Sequence, residues 1–263
     1  MGDGANGTLG AMVLANGLAD KLAKHVGAPH KALLDLGGKP MVIRVAEALQ
    51  ASPLVDKVVV ACLQDGPVAT ALRGQIDLAE AEGDTFFHGI ERGFEALGGC
   101  DRALMVTCDM PLLSVAAVDH FVGEVLSTPE MDLVYAMVDI ALVHQAYPES
   151  QRMAVKLRDG HFTAAGICAV SDHFVTNCGP KLMEAFAARK SKVAMGRLLG
   201  WGFLARFALG ILSVDDIVRR AEEILSCRAR AVRLPYAECG FDVDTVHDWH
   251  SVQKVFERQA DEG

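Results

Sequence analysis

The chain has 263 residues, enough for one large α/β domain or two small ones, and a formal charge of −9. That charge excludes a general nucleic-acid binder, which needs a basic face. Seven cysteines, at positions 62, 100, 108, 168, 178, 227 and 239, form no Cys-x-x-Cys pair, so neither a disulfide framework nor a zinc site is expected and a cytoplasmic location is the simplest.

The glycine-rich residues 1–10 show no basic segment with an apolar core and read as a disordered tail rather than a signal peptide. Ala11 to Ala15 reads as a short buried strand, broken by Asn16-Gly17. A polar segment follows, then Pro29-His30-Lys31-Ala32-Leu33-Leu34 and Leu36-Gly37-Gly38-Lys39-Pro40-Met41. After Pro40 a helix is predicted to about Leu49, with Val42, Val45, Ala46 and Leu49 at helical spacing. Strands are predicted at Lys57–Cys62, Ala103–Thr107 and Leu133–Val138, and helices at Thr85–Leu97 and Val115–Leu126. From Arg152 to Arg158 charged and apolar residues alternate, which predicts a half-exposed strand. Asp159-Gly160 then makes a two-residue turn and His161 to Val170 returns. The last helix spans about Val246 to Arg258, with Val246, Trp249, Val252 and Phe256 on one face. This alternation, with no repeat or low-complexity linker, predicts one doubly wound domain over 11–258.

Three segments carry chemistry. The strand ending at Thr107 runs into Cys108-Asp109-Met110-Pro111, where the chain turns toward a new helix. A carboxylate at the end of a parallel strand sits where such sheets bind ligands, and Mg²⁺ takes one or two carboxylates plus water and phosphate. Asp109 is therefore a candidate metal ligand, or else an N-terminal turn residue of that helix. Near the C-terminus, Asp242 and Asp244 point the same way from an extended segment, and one of them could share a cation with Asp109. Helix capping by Asp244 or Thr245 would account for one position but not for Asp242. Lys31 offers a mobile positive charge for a triphosphate, or is a solvated surface lysine.

The order of these parts resembles the MobA-like nucleotidyltransferases: a glycine-bearing loop after the first strand, a Pro-Lys-x-Leu-Leu segment, and an Asp-x-Asp-Thr segment near the end. The resemblance implies a Rossmann-like three-layer α/β/α fold with a mostly parallel sheet. It also implies Mg²⁺-dependent transfer of a nucleoside monophosphate from an NTP, with GTP or CTP favoured, to a phosphorylated small-molecule acceptor. Lys31 and Asp109 would be catalytic, and the basic strand face of Arg152, Lys156 and Arg158, otherwise a solvated sheet face, would meet the acceptor's phosphate. Leu14, Ala15, Asn16, Gly17, Lys21 and Lys31 would contact the nucleotide, and Asp109, Asp242 and Asp244 would hold the metal. The loop departs from the family's Leu-Ala-x-Gly-x-Gly-x-Arg pattern: Leu14-Ala15-Asn16-Gly17-Leu18-Ala19-Asp20-Lys21 has one glycine and no arginine. That departure leaves a nucleotide-binding protein without turnover as an alternative, and a nucleotide-sugar glycosyltransferase of related fold as another.

Residues 193–212 are strongly apolar but hold Arg197, Arg206 and several glycines, which argues against a membrane span. They read as part of a helical insertion over about 187–226, packed on the body or in a homodimer. A surface touching a membrane or a lipid-bearing substrate is the sharper reading.

Overall fold

The computed structural model describes residues 8–17, 21–83, 86–188 and 191–261. The first strand, β1 (Leu9–Leu14), is buried at every position, as a central strand covered on both faces must be. It leads to α1 (Lys21–Val26), a single 3-10 turn at Lys31–Leu33, a small hairpin of β2 (Asp35–Leu36) and β3 (Lys39–Pro40), and α2 (Met41–Gln50). Then come β4 (Val55–Leu63), α3 (Pro67–Leu72), β5 (Leu78–Ala81), α4 (Phe86–Ala96), β6 (Arg102–Thr107), α5 (Val115–Leu126), β7 (Leu133–Asp139) and α6 (Ile140–Ala146). A second hairpin, β8 (Val155–Leu157) and β9 (Gly160–Ser171), is followed by α7 (Gly179–Ala188), α8 (Lys192–Leu199), α9 (Trp201–Ala208) and α10 (Val214–Leu225). The chain closes with β10 (Ala229–Arg233) and α11 (Val246–Asp261).

The main sheet has the order β10-β7-β9-β6-β1-β4-β5, with β8 on the flank of β9. Strands β5, β4, β1 and β6 are mutually parallel, as are β7 and β10, while β9 runs antiparallel to both β6 and β7. Every strand of this sheet except β9 therefore runs toward one rim. One face is covered by α2, α3 and α5 through Val42, Leu49, Leu72, Phe121 and Val125; the other by α4 and the segment before α7 through Ile90, Phe94 and Phe174. The expected three-layer α/β/α architecture with a mostly parallel sheet is the observed one. Gly93 and Gly89 let α4 lie directly on β1: a Cβ at Gly93 would come 2.7 Å from the Met12 sulfur, and one at Gly89 2.6 Å from Asn16 Cγ.

Three expectations change in detail. Of the supposed disordered tail, Leu9 and Gly10 belong to β1; residues 1–7 lie outside the described residues. The second hairpin turns one residue early, at Arg158-Asp159, because Leu157 pairs with Gly160. Asp159 is drawn out of the strand to accept a 2.7 Å bond from the N–H of Val214. Met153, expected to face inward on that strand, precedes it and is 90% exposed. Finally, α10 is the crossover helix that feeds β10 back onto β7, so the last third of the 187–226 segment belongs to the framework. None of the described helices is long and apolar enough to cross a membrane.

Candidate active site

Asp109 lies two residues beyond β6, on the turn that crosses the rim. With Ser114 capping α5, Asp109 is released from any helix-starting role. Its side chain is largely buried, and its Oδ1 is enclosed with no hydrogen-bond partner. A buried carboxylate oxygen without a donor is costly unless a cation completes it.

The C-terminal segment reaches the same place by a backbone bond: the Val243 N–H donates to the Asp109 carbonyl at 2.9 Å. This fixes Asp242 and Asp244, on either side of Val243, next to Asp109. One carboxylate oxygen from each of the three residues lies within 4.8 Å of the others. Helix α11 is started by Thr245, which exchanges bonds with Asp248: the Thr245 N–H donates to the Asp248 carboxylate at 2.9 Å, and the Asp248 N–H to the Thr245 hydroxyl at 3.1 Å. The cap thus uses neither the Asp242 nor the Asp244 carboxylate, only the Asp244 N–H, which donates to Asp248 at 3.3 Å. Behind it, Phe241, Val243 and Val252 pack with Leu34, Leu36 and Met41, tying the end of the chain to the hairpin beside Lys31.

Two cations answer the three carboxylates. Lys31 donates to Asp109 Oδ2 at 2.7 Å and to Asp244 Oδ1 at 2.5 Å, so it is not a solvated surface lysine. Burial works against its charge, but the Asp109 and Asp244 carboxylates outweigh burial and hold its pKa above the ordinary lysine value. Arg152 pairs with Asp242 and lies 3.3 Å from Asp244, while its Nε is buried without an acceptor. Burial and the neighbouring Asp109 push the Asp242 carboxyl up to about 7, against the pull of Arg152. Burial also raises Asp244, but Lys31 overrides it and leaves that carboxyl below its usual value.

The loop after β1 is held from the Lys31 side. His30 Nδ1 accepts from the Ala32 N–H at 3.0 Å, which leaves the ring proton on Nε2, 2.7 Å from the Gly17 carbonyl oxygen. One buried imidazole therefore sets both the Lys31 turn and the loop. Around Gly17 a Cβ would meet nothing within 4 Å, so the space in front of it is open. Asn16 is buried against α4 at Gly89. Leu14 and Ala15 are committed to the sheet: the Leu14 carbonyl accepts from Cys108 and the Ala15 N–H donates to Ala61. Lys21 is exposed at the start of α1 and makes no ion pair with the described residues. Leu18, Ala19 and Asp20 lie outside the described residues.

The sequence agrees with this arrangement. The MobA-like NTP transferase domain family matches residues 11–147, just over half of the chain. The chain belongs to that family. A hypothetical transferase from Thermus thermophilus superposes with a TM-score of 0.78 at 31% identity, covering 92% of this chain and 100% of the other. The chain is 26% identical over 250 residues to a 3-deoxy-manno-octulosonate cytidylyltransferase of Geobacter sulfurreducens, spanning 88% of this chain and 93% of that protein. A probable molybdenum cofactor guanylyltransferase of Haloferax mediterranei is 34% identical over 100 residues, 36% of this chain and 46% of that one. The protein is thus a nucleotidyltransferase of the MobA-like type.

Within this MobA-like rim, sequence reasoning misplaced one residue and missed another. Arg152 was expected on a half-exposed strand whose basic face meets solvent or the acceptor, yet it sits before β8 and turns inward to the carboxylates. His30 drew no reading of its own from the sequence. A polar ring next to the lysine, in a segment otherwise rich in buried leucines, was the one available signal for it.

Proposed function

We propose that the protein transfers a nucleoside monophosphate from CTP or GTP to a phosphorylated small-molecule acceptor. An acceptor phosphate oxygen bonds to the α-phosphorus, the bond from that phosphorus to the bridging oxygen breaks, and pyrophosphate leaves with the electron pair. The observation that carries this reading is the convergence of Asp109, Asp242 and Asp244 around the unpartnered Asp109 Oδ1. Carboxylates without histidine or thiolate suit a hard divalent cation, so the residues fit Mg²⁺. Asp109 with Asp242 and Asp244 would hold it, where its charge neutralises phosphoryl oxygens and the leaving pyrophosphate.

The protein's own groups do the rest. Lys31, at the edge of the carboxylate cluster, would stabilise with its ammonium the charge that grows on the triphosphate. The open space at Gly17 lets backbone approach phosphate without a Cβ in the way, and His30 keeps that backbone in position. Arg152, on the β8–β9 side, presents a planar fork suited to the acceptor's phosphate. On the other side of β1, at the end of β5, a cavity of about 490 Å³ lined by Glu82, His88, Glu91 and Arg92 is the place for the nucleoside. A cytidylyltransferase and a guanylyltransferase among the relatives support CTP and GTP as donors.

Thermal stability with each of the four NTPs, with and without Mg²⁺, tests the reading, since a ligand that binds only the native state raises the midpoint. The expected result is a Mg²⁺-dependent shift with CTP or GTP that Asp109→Asn removes. A shift that survives Asp109→Asn, or none with any NTP, refutes it.

A further inference from the structure

The apolar residues of α9 and α10 do not close onto the sheet. Between α10, Phe207 of α9 and the outer part of the sheet lies a cavity of about 380 Å³, floored by Tyr135, Met137 and Phe162. A second, of about 370 Å³, continues beneath α8 and α9. Phe207, Ile217 and Ala221 line both, so the two form one groove. Its walls are almost wholly hydrocarbon, and such a space holds water poorly.

The groove begins at the proposed acceptor side of the rim. Met137 is near the rim end of β7, and Val155, which lines the groove, is three residues beyond Arg152. From Met137 the floor runs along β7 to Leu133, about 13 Å at the strand rise of 3.3 Å per residue. An apolar groove whose lining begins three residues from Arg152 and leads away from the rim suits a head-and-tail ligand.

We propose that the groove binds the hydrocarbon tail of the acceptor, a monophosphate ester of a long aliphatic alcohol whose phosphate lies at Arg152. This rests on the nucleotidyltransferase reading of the rim. It assigns the apolar 193–212 segment to substrate rather than to a membrane span, and explains why α9 has no buried residue without the groove filled.

The test uses the full chain and a series of n-alkyl phosphates from butyl to dodecyl below their micelle concentrations, with glycerol 3-phosphate as the tailless control. Binding is read by calorimetry, and nucleotidyl transfer to each phosphate is read separately. Affinity should rise about three- to four-fold per added methylene, the equivalent of about 0.8 kcal/mol for each buried CH₂. Ala221→Trp, which fills the junction of the two cavities, should abolish the chain-length dependence while leaving the Mg²⁺–NTP thermal shift intact. Phe207→Ala, a truncation at a half-exposed position, should weaken long chains selectively without threatening the fold. Equal affinity for all chain lengths, with the NTP shift intact, overturns the groove and leaves the transferase reading standing. Loss of the NTP shift with chain-length dependence retained breaks the transferase reading alone. A concentration-dependent dimer that Phe207→Ala dissociates, with no alkyl binding, shows a second copy in the groove and overturns the proposal.

Discussion

The rim at the strand ends and the α8–α9 layer are built by opposite means. At the rim three segments distant in sequence are locked together: Val243 to Asp109 by backbone, Gly17 to Ala32 through the His30 ring, and Lys31 to two carboxylates. Lys31 and Arg152 each reach two carboxylates. Helix α9 instead buries none of its residues, and Trp201 and Leu209 are 62% and 71% exposed. It is attached by a few apolar contacts and by the Arg206–Asp216 pair to α10. The difference teaches that charge convergence demands rigidity, whereas an apolar groove needs only a hinged wall. Local stability should follow the same division, high at the rim and low in α9.

The largest effect should come from removing the cation that binds the rim together. Lys31→Met should lower kcat by about 10²- to 10³-fold, the size seen when one donor to developing charge is lost. Because the same change deletes the competitor for Asp109 and Asp244, Mg²⁺ should bind more tightly to the variant. Steady-state kinetics alongside calorimetric Mg²⁺ titration separates the two. Loss of both activity and metal affinity would show that Lys31 only supports the fold.

Next is His30, where two functions can be split. His30→Leu leaves the buried Ala32 N–H unpaired, at a cost of about 1–3 kcal/mol in stability. His30→Asn still offers an acceptor to Ala32 but cannot span to Gly17, so its stability should stay near wild type while the KM for NTP rises. Equal melting and equal KM in His30→Asn would mean that the Gly17 contact does not position the loop.

How far this was legible in the sequence follows from the range of each interaction. Asp109, Asp242 and Asp244 were readable because strand ends and extended segments display their carboxylates in local patterns. That they meet was carried only by the family resemblance. Arg152 was misplaced because the charged and apolar alternation of 152–158 reads as one strand, whereas residues 151–154 have no regular structure. His30 was hidden because its partner is 13 residues away across an irregular stretch. The 193–212 run looked like one long apolar element, but Gly200, at φ +87°, bends it into two short helices. Side chains that would line a single span instead divide between groove and surface.

Thr245→Ala tests the rim from behind. It removes the hydroxyl that accepts from Asp248, with an expected loss of about 1 kcal/mol and little change in kcat, since neither the Asp242 nor the Asp244 carboxylate serves the cap. Denaturant unfolding and steady-state kinetics read the two quantities. A large fall in kcat at unchanged stability would place Thr245 in the chemistry instead.

The smallest effect belongs to the α9 wall. Asp216 accepts from the Ser213 N–H and faces Arg206 and Arg219; the bonds from Ser213, then the two arginines, hold its carboxyl below the ordinary value of 3.8, against burial. A group depressed in the folded state contributes stability that is fully present above its unfolded value and is lost as pH falls through the folded one. Asp216→Asn keeps an oxygen for Ser213 but gives up the charge that meets Arg206 across α9 and α10. The variant should therefore melt slightly below wild type near neutral pH, and the two curves should converge as pH drops below 3.8. Amide exchange should quicken in α9 and stay unchanged at Asp109, because the pair fastens only the wall. Equal acceleration at the rim would mean that wall and rim open together and that the division between them is wrong.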